Sequence, residues 1–311
     1  MADAATDRPA ATGEQHEISG HGYRAVVTEV GAALRVLRHD DRDLVAPHSA
    51  DAVRPVHRGD VLAPWPNRIA DGRYRFGGAT YQLPVNEVDR SNALHGLVFW
   101  EAWRLVERTP TSVVLGHRLF PRVGYPFTLD LEVSYSLAEA GLTWQVSAVN
   151  VGVGPAPYGC APHPYLIGGQ GKVDDWSLEL PAEDYLAVTP DRLLPVDVRP
   201  VAGSELDFRQ LRPIGGAEID HAFTGLRWDK AGRVAARVLG ADGRGVAVRW
   251  DRGCRWVQVH TADRPEAELH RSGLALEPMT CPPDAFNSGT DLVVLAPGDT
   301  HRASWTVSAI G

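Results

Sequence analysis

Two side chains of this sequence combine acid–base chemistry with a local sequence that restrains them. His163 stands between two prolines in the run Tyr-Gly-Cys-Ala-Pro-His-Pro-Tyr at residues 158–165, and proline fixes the backbone without offering a main-chain donor. Glu277 follows the apolar run Leu-Ala-Leu at residues 274–276, where burial raises the pKa of a carboxyl toward the range of a general base. Such a pair is suited to proton transfer, although either residue can also be structural, and the pair alone does not name a reaction.

Four more polar residues occupy segments that are unusual for an ordinary loop. Asn67 and Arg68 follow a Pro-Trp-Pro run, whose rigid backbone can hold hydrogen-bond donors still. His95 precedes a glycine, where a ligand can approach the backbone closely. Asp220 lies in the run Ile-Asp-His. These residues complete the candidate site.

The motifs of several common enzyme classes are missing. The sequence has neither a G-x-x-x-x-G-K-[ST] phosphate loop nor a G-x-G-x-x-G after a strand, and it lacks H-E-x-x-H and G-x-S-x-G. Its 12 histidines never fall as H-x-H or H-x-x-x-H, so a metal site would need residues far apart in the sequence. We therefore expect chemistry without a metal or a cofactor.

Charge and cysteine content narrow the partners and the compartment. With 31 Lys and Arg against 39 Asp and Glu, the net charge of −8 argues against nucleic acid or an anionic membrane, but not against a small anionic ligand. No apolar run is long enough for a membrane-spanning helix, and the N-terminus lacks a secretory signal. Cys160, Cys254 and Cys281 form no C-x-x-C pair and are predicted to be buried thiols. We expect a cytoplasmic protein.

Alternation of apolar and polar residues predicts short strands along most of the chain. Residues 129–137 and 142–148 alternate strictly and predict a hairpin. Residues 74–76 and 79–83 flank a Gly-Gly pair and predict a second one. The other predicted strands are residues 104–107 with 113–119, 246–250 with 255–260, 292–295, and 304–308.

The same pattern predicts an all-β fold in one domain. Helical periodicity is nearly absent, and its best window, residues 262–271, contains a proline and predicts at most a short turn of helix. Many short strands without alternating helices are typical of an antiparallel sandwich or barrel. We expect a disordered N-terminal tail over residues 1–15 and a single domain over residues 16–311.

Six short segments of this sequence resemble, in order and approximate spacing, the aldose 1-epimerase (mutarotase) family. The resemblance extends from about residue 20 to the C-terminus, and each segment is weak by itself. The segments are residues 67–72 with Tyr74 and Phe76, Leu-His-Gly at 94–96, His-Pro-Tyr at 163–165, Asp-His-Ala-Phe at 220–223, Leu-Glu at 276–277 continued by Pro-Asp-Ala-Phe-Asn at 283–287, and Leu-Ala-Pro-Gly at 295–298.

The resemblance implies a large, mostly antiparallel β-sandwich with an open sugar-binding cleft. It also implies that the protein interconverts the α and β anomers of a free hexose without metal or cofactor. By motif, Glu277 matches the general base at the C1 hydroxyl, and His163 matches the general acid at the ring oxygen. His95 matches a second histidine near the ring oxygen.

The resemblance further assigns the binding residues and raises a question about the substrate. Arg68 and Asp220 match residues that hold sugar hydroxyls, with Asn67 as a helper. Galactose-type members carry Asn where this chain has Pro162, and residues 59–97 are closer to a bacterial branch associated with sulfoquinovose, a 6-sulfonated glucose. The arginines that could bind a sulfonate or phosphate, or could instead be ordinary surface cations, are Arg68, Arg73, Arg75 and Arg90.

Several alternatives remain open from the sequence. The substrate can be a neutral hexose or an anionic one, and the domain can instead be a non-catalytic sugar-binding or sugar-sensing module or, more distantly, a metal enzyme of the cupin kind. Trp65, Trp100 and Trp103 can stack on a sugar face or pack in the core or at its rim. The expected partner is a small sugar, with no nucleic acid and no membrane, and the expected assembly is a monomer or a homodimer.

Overall fold

The computed structural model describes residues 8–311 and is built almost entirely of short β-strands. One four-residue α-helix, α1 (Ala285–Ser288), and short 3-10 turns at Pro55–His57, Val88–Arg90 and Val173–Asp175 accompany them. The strands are β1 (Gln15–Gly20), β2 (Tyr23–Thr28), β3 (Leu34–His39), β4 (Arg42–Asp43), β5 (Asp60–Leu62), β6 (Arg68–Ala70), β7 (Arg73–Phe76), β8 (Ala79–Gln82), β9 (Asn92–Leu94), β10 (Arg104–Arg108), β11 (Ser112–Leu119), β12 (Leu129–Ala138), β13 (Gly141–Asn150), β14 (Ala156–Tyr158), β15 (Ala161–His163), β16 (Tyr165–Leu166), β17 (Ser177–Glu179), β18 (Ala182–Val188), β19 (Pro195–Pro200), β20 (Arg212–Pro213), β21 (Asp220–Leu226), β22 (Arg233–Leu239), β23 (Gly245–Asp251), β24 (Trp256–His260), β25 (Leu274–Met279), β26 (Val293–Leu295) and β27 (Thr300–Ile310).

Three larger sheets form the body of the molecule. A nine-stranded sheet runs β10-β11-β12-β13-β27-β23-β22-β17-β20, a six-stranded sheet runs β16-β25-β24-β21-β18-β19, and a four-stranded sheet runs β1-β2-β3-β4. The strands within them pair antiparallel, and apolar side chains from all three sheets join one buried cluster. The all-β, mostly antiparallel fold class predicted from the sequence is confirmed.

The long hairpin of the nine-stranded sheet illustrates how the sequence builds this fold. In β12 every second residue from Leu129 to Leu137 is buried, and β13 pairs with it so that Tyr135 lies opposite Trp144. On its other side β13 pairs with β27, where Trp144 faces Trp305. Apolar side chains alternating with polar ones thus fill one face of the sheet, and both predicted hairpins are confirmed.

The structure corrects three details of the sequence prediction. Residues 246–250 and 255–260 do not pair, because β23 joins the nine-stranded sheet and β24 the six-stranded one. The window 262–271 contains a turn and no helix, within the predicted limit, whereas the sequence contained no signal for α1. Of the predicted tail, residues 1–7 lie outside the described residues, whereas Thr12 is buried and donates to Ala50 O at 3.0 Å, and Gln15 begins β1.

The cysteines agree with a simpler expectation. Cys160, Cys254 and Cys281 are all buried and unpaired, as predicted. Within residues 8–311, no helix has the length and apolar character needed to cross a membrane.

The six-stranded sheet gathers polar side chains on one of its faces. In the β24–β25 ladder Gln258 lies opposite Glu277, and in the β21–β24 ladder Asp220 lies opposite His260. Because side chains alternate across a strand with a period of two, Gln258 and His260 point to the same face of the sheet. Two short ladders, β5 with β15 and β6 with β9, carry further polar residues.

Close backbone contact at Gly96 fixes the end of the β6–β9 ladder. Gly96 has a φ of +82° and bridges Ala63, and a Cβ added to it would lie 2.0 Å from Ala63 O. No side chain fits there. The Leu-His-Gly run therefore needs its glycine so that His95 can be placed against the segment that contains Ala63.

We predict that Gly96→Ala destabilises the protein by about 2–4 kcal/mol, from left-handed backbone strain and overpacking together. The matched control is Gly78→Ala, where φ is +83° but nothing lies within 4 Å of the added Cβ. That control carries the strain alone and should cost about 1–2 kcal/mol. Urea denaturation measures both free energies of unfolding, and equal losses would show that the contact with Ala63 is unimportant.

Candidate active site

The six residues predicted from the sequence all line one open cleft of about 530 Å³ on the six-stranded sheet. This volume is within the range of small-molecule sites. The structure brings together Asn67, Arg68, His95, His163, Asp220 and Glu277. They come from loops and strands that are far apart in the chain, so only the folded protein assembles them.

His163 and Glu277 meet at the floor of the cleft. Nε2 of His163 lies 3.3 Å from Oε1 of Glu277, and the two residues are 4% and 2% exposed. Glu277 lies within β25, and His163 ends β15, which pairs with β5. Immediately after His163 the chain joins the six-stranded sheet, where Tyr165 of β16 lies opposite Ala275 of β25. This crossing holds the two side chains in contact.

Burial sets the charge state of this pair. It raises the pKa of Glu277 well above 4.5, with Asp220 adding to the rise and Arg68 opposing it. Burial also lowers the pKa of His163 well below 6.5, with neighbouring histidines contributing. Both shifts favour the neutral forms, so the pair holds one proton in total near neutral pH. Near neutral pH, a proton donor therefore lies beside a proton acceptor.

Both side chains keep an atom without a protein partner. Oε2 of Glu277 and Nδ1 of His163 are buried and make no hydrogen bond within residues 8–311. Burying such atoms costs free energy unless they are satisfied. A cost of this kind at a cleft floor is typical of a site that functions when a ligand is bound.

His95 lies beside His163 and completes the imidazole side of the cleft. It is buried, has a φ of +64°, and its ring meets that of His163 edge-on with centroids 5.0 Å apart. Burial lowers the pKa of His95 well below 6.5, with His57 and His163 adding to the effect. His95 is therefore a neutral hydrogen-bonding group at neutral pH.

Arg68 is held by a carboxylate that the sequence analysis did not identify. Its Nε donates to Oε2 of Glu87 at 2.9 Å and its Nη2 donates to Oε1 at 3.0 Å. Nη2 also lies 3.6 Å from Oδ2 of Asp220, whose Oδ1 accepts from Gln258 Nε2 at 2.6 Å. These side chains form a continuous polar wall of the cleft, and their hydrogen bonds and ion pairs fix their orientations.

Asn67 supports Arg68 from the preceding position. Its Oδ1 accepts from the backbone N–H of Arg68 at 3.0 Å, and its backbone carbonyl accepts from the N–H of His95 at 2.9 Å. Asn67 has a φ of +55°, a conformation that Asn tolerates better than most residues. It thus links the Arg68 and His95 segments.

The arginines suggested for an anion site do not all reach the cleft. Arg68 and Arg90 line it, and both contact Glu87. Arg73 and Arg75 lie on β7 with exposed side chains, outside the lining. That part of the hypothesis is wrong, because β7 and β8 form a separate two-stranded ladder.

The three tryptophans pack away from the cleft lining. Trp65 is buried against Phe286, and Trp103 is buried with its Nε1 donating to Val98 O at 3.2 Å. Trp100 is 53% exposed and covers Arg54. Core or rim packing therefore describes all three, and the stacking interpretation is wrong.

Several lining residues were missed by the sequence analysis. Gln258 and His260 could have been found, since they share one side of a predicted strand. The loop residues gave no sequence signal, because their position depends on loops that fold back onto the sheet. These residues are His57, Glu87 and Arg264.

The described residues offer no evident metal site. Within residues 8–311 no group of three or more His, Cys, Asp or Glu side chains is arranged to hold a metal ion. Two of the cleft's carboxylates, Glu87 and Asp220, are engaged by arginine or amide groups.

Comparison with known proteins places the chain in a family. The sequence profile described as aldose 1-epimerase matches residues 14–308. The chain belongs to the aldose 1-epimerase family. Protein YihR of Escherichia coli (strain K12) is 38% identical over 297 residues, which cover 95% of this chain and 93% of that protein. Galactose mutarotase of Mus musculus is 29% identical over 272 residues, covering 78% of this chain and 76% of the mouse protein.

Solved structures confirm the aldose 1-epimerase fold. A GalM/aldose epimerase homologue from C. elegans superimposes with a TM-score of 0.83, covering 96% of this chain and 99% of its own at 20% identity. Galactose 1-epimerase from Lactobacillus acidophilus NCFM gives a TM-score of 0.79 over 98% of this chain and 97% of its own, at 19% identity. The resemblance stated from the sequence motifs is confirmed.

We predict that Glu277→Gln stabilises the fold increasingly as the pH rises. The folded pKa of Glu277 is raised, so the folded protein keeps a proton that the unfolded chain releases above about pH 4.5, and rising pH favours unfolding through this group. The Gln variant has no such proton. Its advantage over the wild type should grow above about pH 5, by on the order of 1 kcal/mol per pH unit while Glu277 remains protonated.

Urea denaturation across this pH range measures the difference. Glu132→Gln, which removes an exposed carboxyl on β12, is the matched control and should show no such trend. An advantage of the Glu277 variant that is independent of pH would contradict the assignment of a raised folded pKa.

Proposed function

We propose that this protein is an aldose 1-epimerase that interconverts the α and β anomers of a free hexose without a cofactor. One observation carries the proposal: His163 Nε2 and Glu277 Oε1 lie 3.3 Å apart inside a polar cleft. The two oxygens of a hemiacetal are attached to one carbon, so an acid and a base that serve both must themselves be neighbours.

Ring opening needs one proton taken and one given. Glu277 as carboxylate accepts the proton of the C1 hydroxyl, and the electron pair of that O–H bond forms the carbonyl. This step starts from the form of the pair in which its single proton has moved from Glu277 Oε1 across the 3.3 Å contact to His163 Nε2. The bond between C1 and the ring oxygen breaks, and His163 as imidazolium donates its Nε2 proton to that oxygen. The products are an open-chain aldehyde, a protonated Glu277 and a neutral His163, so protons and charge balance.

Ring closure reverses these steps from the other face of the aldehyde. After rotation about the C1–C2 bond, His163 takes back the proton of the C5 hydroxyl as that oxygen attacks C1. Glu277 returns its proton to the former carbonyl oxygen. The pair holds the same single proton before and after the cycle, which is why burial that favours one shared proton suits the reaction.

The polar wall supplies the binding contacts. The N–H groups of Arg68 and the oxygens of Asp220 face the cleft and suit the hydroxyls of a sugar, which both donate and accept. Glu87 and Gln258 fix those two groups in place. His95 lies beside the proposed acid, where it can hold the ring oxygen or a neighbouring hydroxyl.

We predict that Glu277→Gln and His163→Ala each lower the rate of anomer exchange by at least about 100-fold. The reason is that a positioned acid or base contributes about 10²–10⁴-fold. Two-dimensional exchange NMR on glucose and galactose at equilibrium measures the rate. Glu132→Gln and His21→Asn, which change exposed residues outside the cleft, should leave it unchanged.

Two results would contradict the proposal. Full exchange activity in either variant would remove that residue from the mechanism. A wild-type protein that binds sugar without accelerating exchange would instead identify a binding or sensing module on the same fold.

One observation favours an anionic hexose, such as a 6-sulfonate or 6-phosphate, as a second candidate substrate. Arg264 lines the cleft, and its buried Nε has no hydrogen-bond partner within residues 8–311. Arg68 and Arg90, in contrast, are already paired with Glu87. A guanidinium without a carboxylate partner is suited to a bound sulfonate or phosphate.

We predict that Arg264→Gln discriminates between the two substrate classes. If the substrate is anionic, this change should lower kcat/KM for glucose 6-phosphate or sulfoquinovose by at least about tenfold, the loss of a charge-assisted contact. The rate on glucose and galactose should change little. Arg75→Gln, an exposed arginine outside the cleft lining, is the matched control. Equal wild-type rates on neutral and anionic sugars would argue against a dedicated anion pocket.

A further inference from the structure

Another histidine, His57, lines the cleft beside His95 and His163. Its ring centroid is 4.8 Å from that of His95, 5.0 Å from that of Phe99 and 5.9 Å from that of His163. It lies in the 3-10 turn Pro55–His57 between β4 and β5. Neither the sequence motifs nor the proposed acid–base mechanism gives it a role.

A buried ion pair between Asp60 and Arg54 supports His57. His57 Nδ1 lies 2.9 Å from Oδ2 of Asp60, and the other carboxylate oxygen of Asp60 is ion-paired with Nε of Arg54. The side chains of Asp60 and Arg54 are 1% and 0% exposed. Arg54 also donates to the backbone carbonyls of Val30 and Phe99. The charges are therefore balanced without His57, and the support is rigid.

This support fixes which nitrogen of His57 carries the proton. A carboxylate can only accept a hydrogen bond, so Nδ1 must be the donor to Asp60. In the neutral ring Nε2 is then an acceptor. Nε2 makes no hydrogen bond within residues 8–311, and the side chain keeps 23% exposure in the lining of the cleft. An oriented acceptor is thus free for a ligand.

The backbone under His57 is strained. Val56 has a φ of +44° and His57 a φ of +61°, and a β-branched residue in the left-handed region is an outlier. Strain of this kind persists where the surroundings determine the conformation, and it clusters at binding and catalytic sites. Here the strained turn is what places the imidazole over the cleft, next to β5, where Asp60 lies opposite His163.

We propose that His57 is a substrate-binding residue whose Nε2, oriented by Asp60 and Arg54, accepts a hydrogen bond from a sugar hydroxyl on the His95–His163 side of the cleft. The inference rests on the proposed function and deepens it. His57 contributes to holding the sugar, and His163 and Glu277 carry the proton transfer. Losing His57 therefore raises KM and leaves kcat nearly unchanged.

The test compares His57→Asn with His57→Gln in the full-length protein by exchange NMR. The Asn amide can keep the donor to Asp60 but places nothing at Nε2, whereas the longer Gln can present its carbonyl oxygen near that position. We expect His57→Asn to raise KM about three- to tenfold, the worth of one neutral hydrogen bond, with kcat within about twofold. His57→Gln should recover most of the loss, and His21→Asn should match the wild type.

A series of monodeoxy sugars identifies the hydroxyl. The sugar that lacks the hydroxyl held by His57 should lose about the same factor in KM with the wild type and lose nothing further with His57→Asn. If the Asn variant does not fold, His57→Ser, which also places nothing at the Nε2 position, takes its place in this measurement.

Three results would overturn the inference: an unchanged KM in His57→Asn, a fall in kcat alone, or equal losses in both variants, which would indicate a structural role. Failure of the proposed function is distinguishable from these results, because the wild-type protein itself would then not accelerate anomer exchange. Saturation-transfer NMR of glucose binding to the Glu277→Gln protein, with and without His57→Asn, measures the contribution of His57 to binding without any turnover.

Discussion

The contact between His163 and Glu277 imposes the main physical constraint on the cleft. Two ionisable groups 3.3 Å apart and almost fully buried cannot behave as they would in water. Burial favours their neutral forms, and their proximity makes the loss or gain of a proton a property of the pair. The fold therefore has to hold both side chains still and keep other partners away, and most of the local architecture around the cleft does that.

The two members of the pair come from different kinds of strand. Glu277 lies on β25, the second strand of the six-stranded sheet, opposite Gln258, and shares a sheet face with Asp220. His163 ends a short strand paired with β5, which also carries Asp60. One wall is thus set by sheet register and the other by short ladders and loops. Arg68 and Glu87 close the wall between them with two parallel charge-assisted hydrogen bonds.

The sequence predicted the parts of this arrangement that depend on local pattern. The alternation of apolar and polar residues at 129–137 was sufficient to predict a strand. Polar residues in restrained segments, such as His163 and Arg68, were sufficient to predict a site, and the family resemblance supplied their roles. It could not predict that residues 246–250 and 255–260 enter different sheets, because both segments alternate alike. Nor could it predict Arg264 or His57, whose places depend on loop folding and, for His57, on an ion pair contributed by Arg54 and Asp60.

Histidine ¹⁵N NMR across pH tests most directly whether His163 and Glu277 share one proton. The His163 signal is assigned by its loss in His163→Ala. We expect no ordinary titration of His163 near pH 6.5 in the wild type, and a clear change of its signal in Glu277→Gln, since that variant removes the partner with which the proton is shared. An ordinary histidine titration that is the same in wild type and Glu277→Gln would contradict the account.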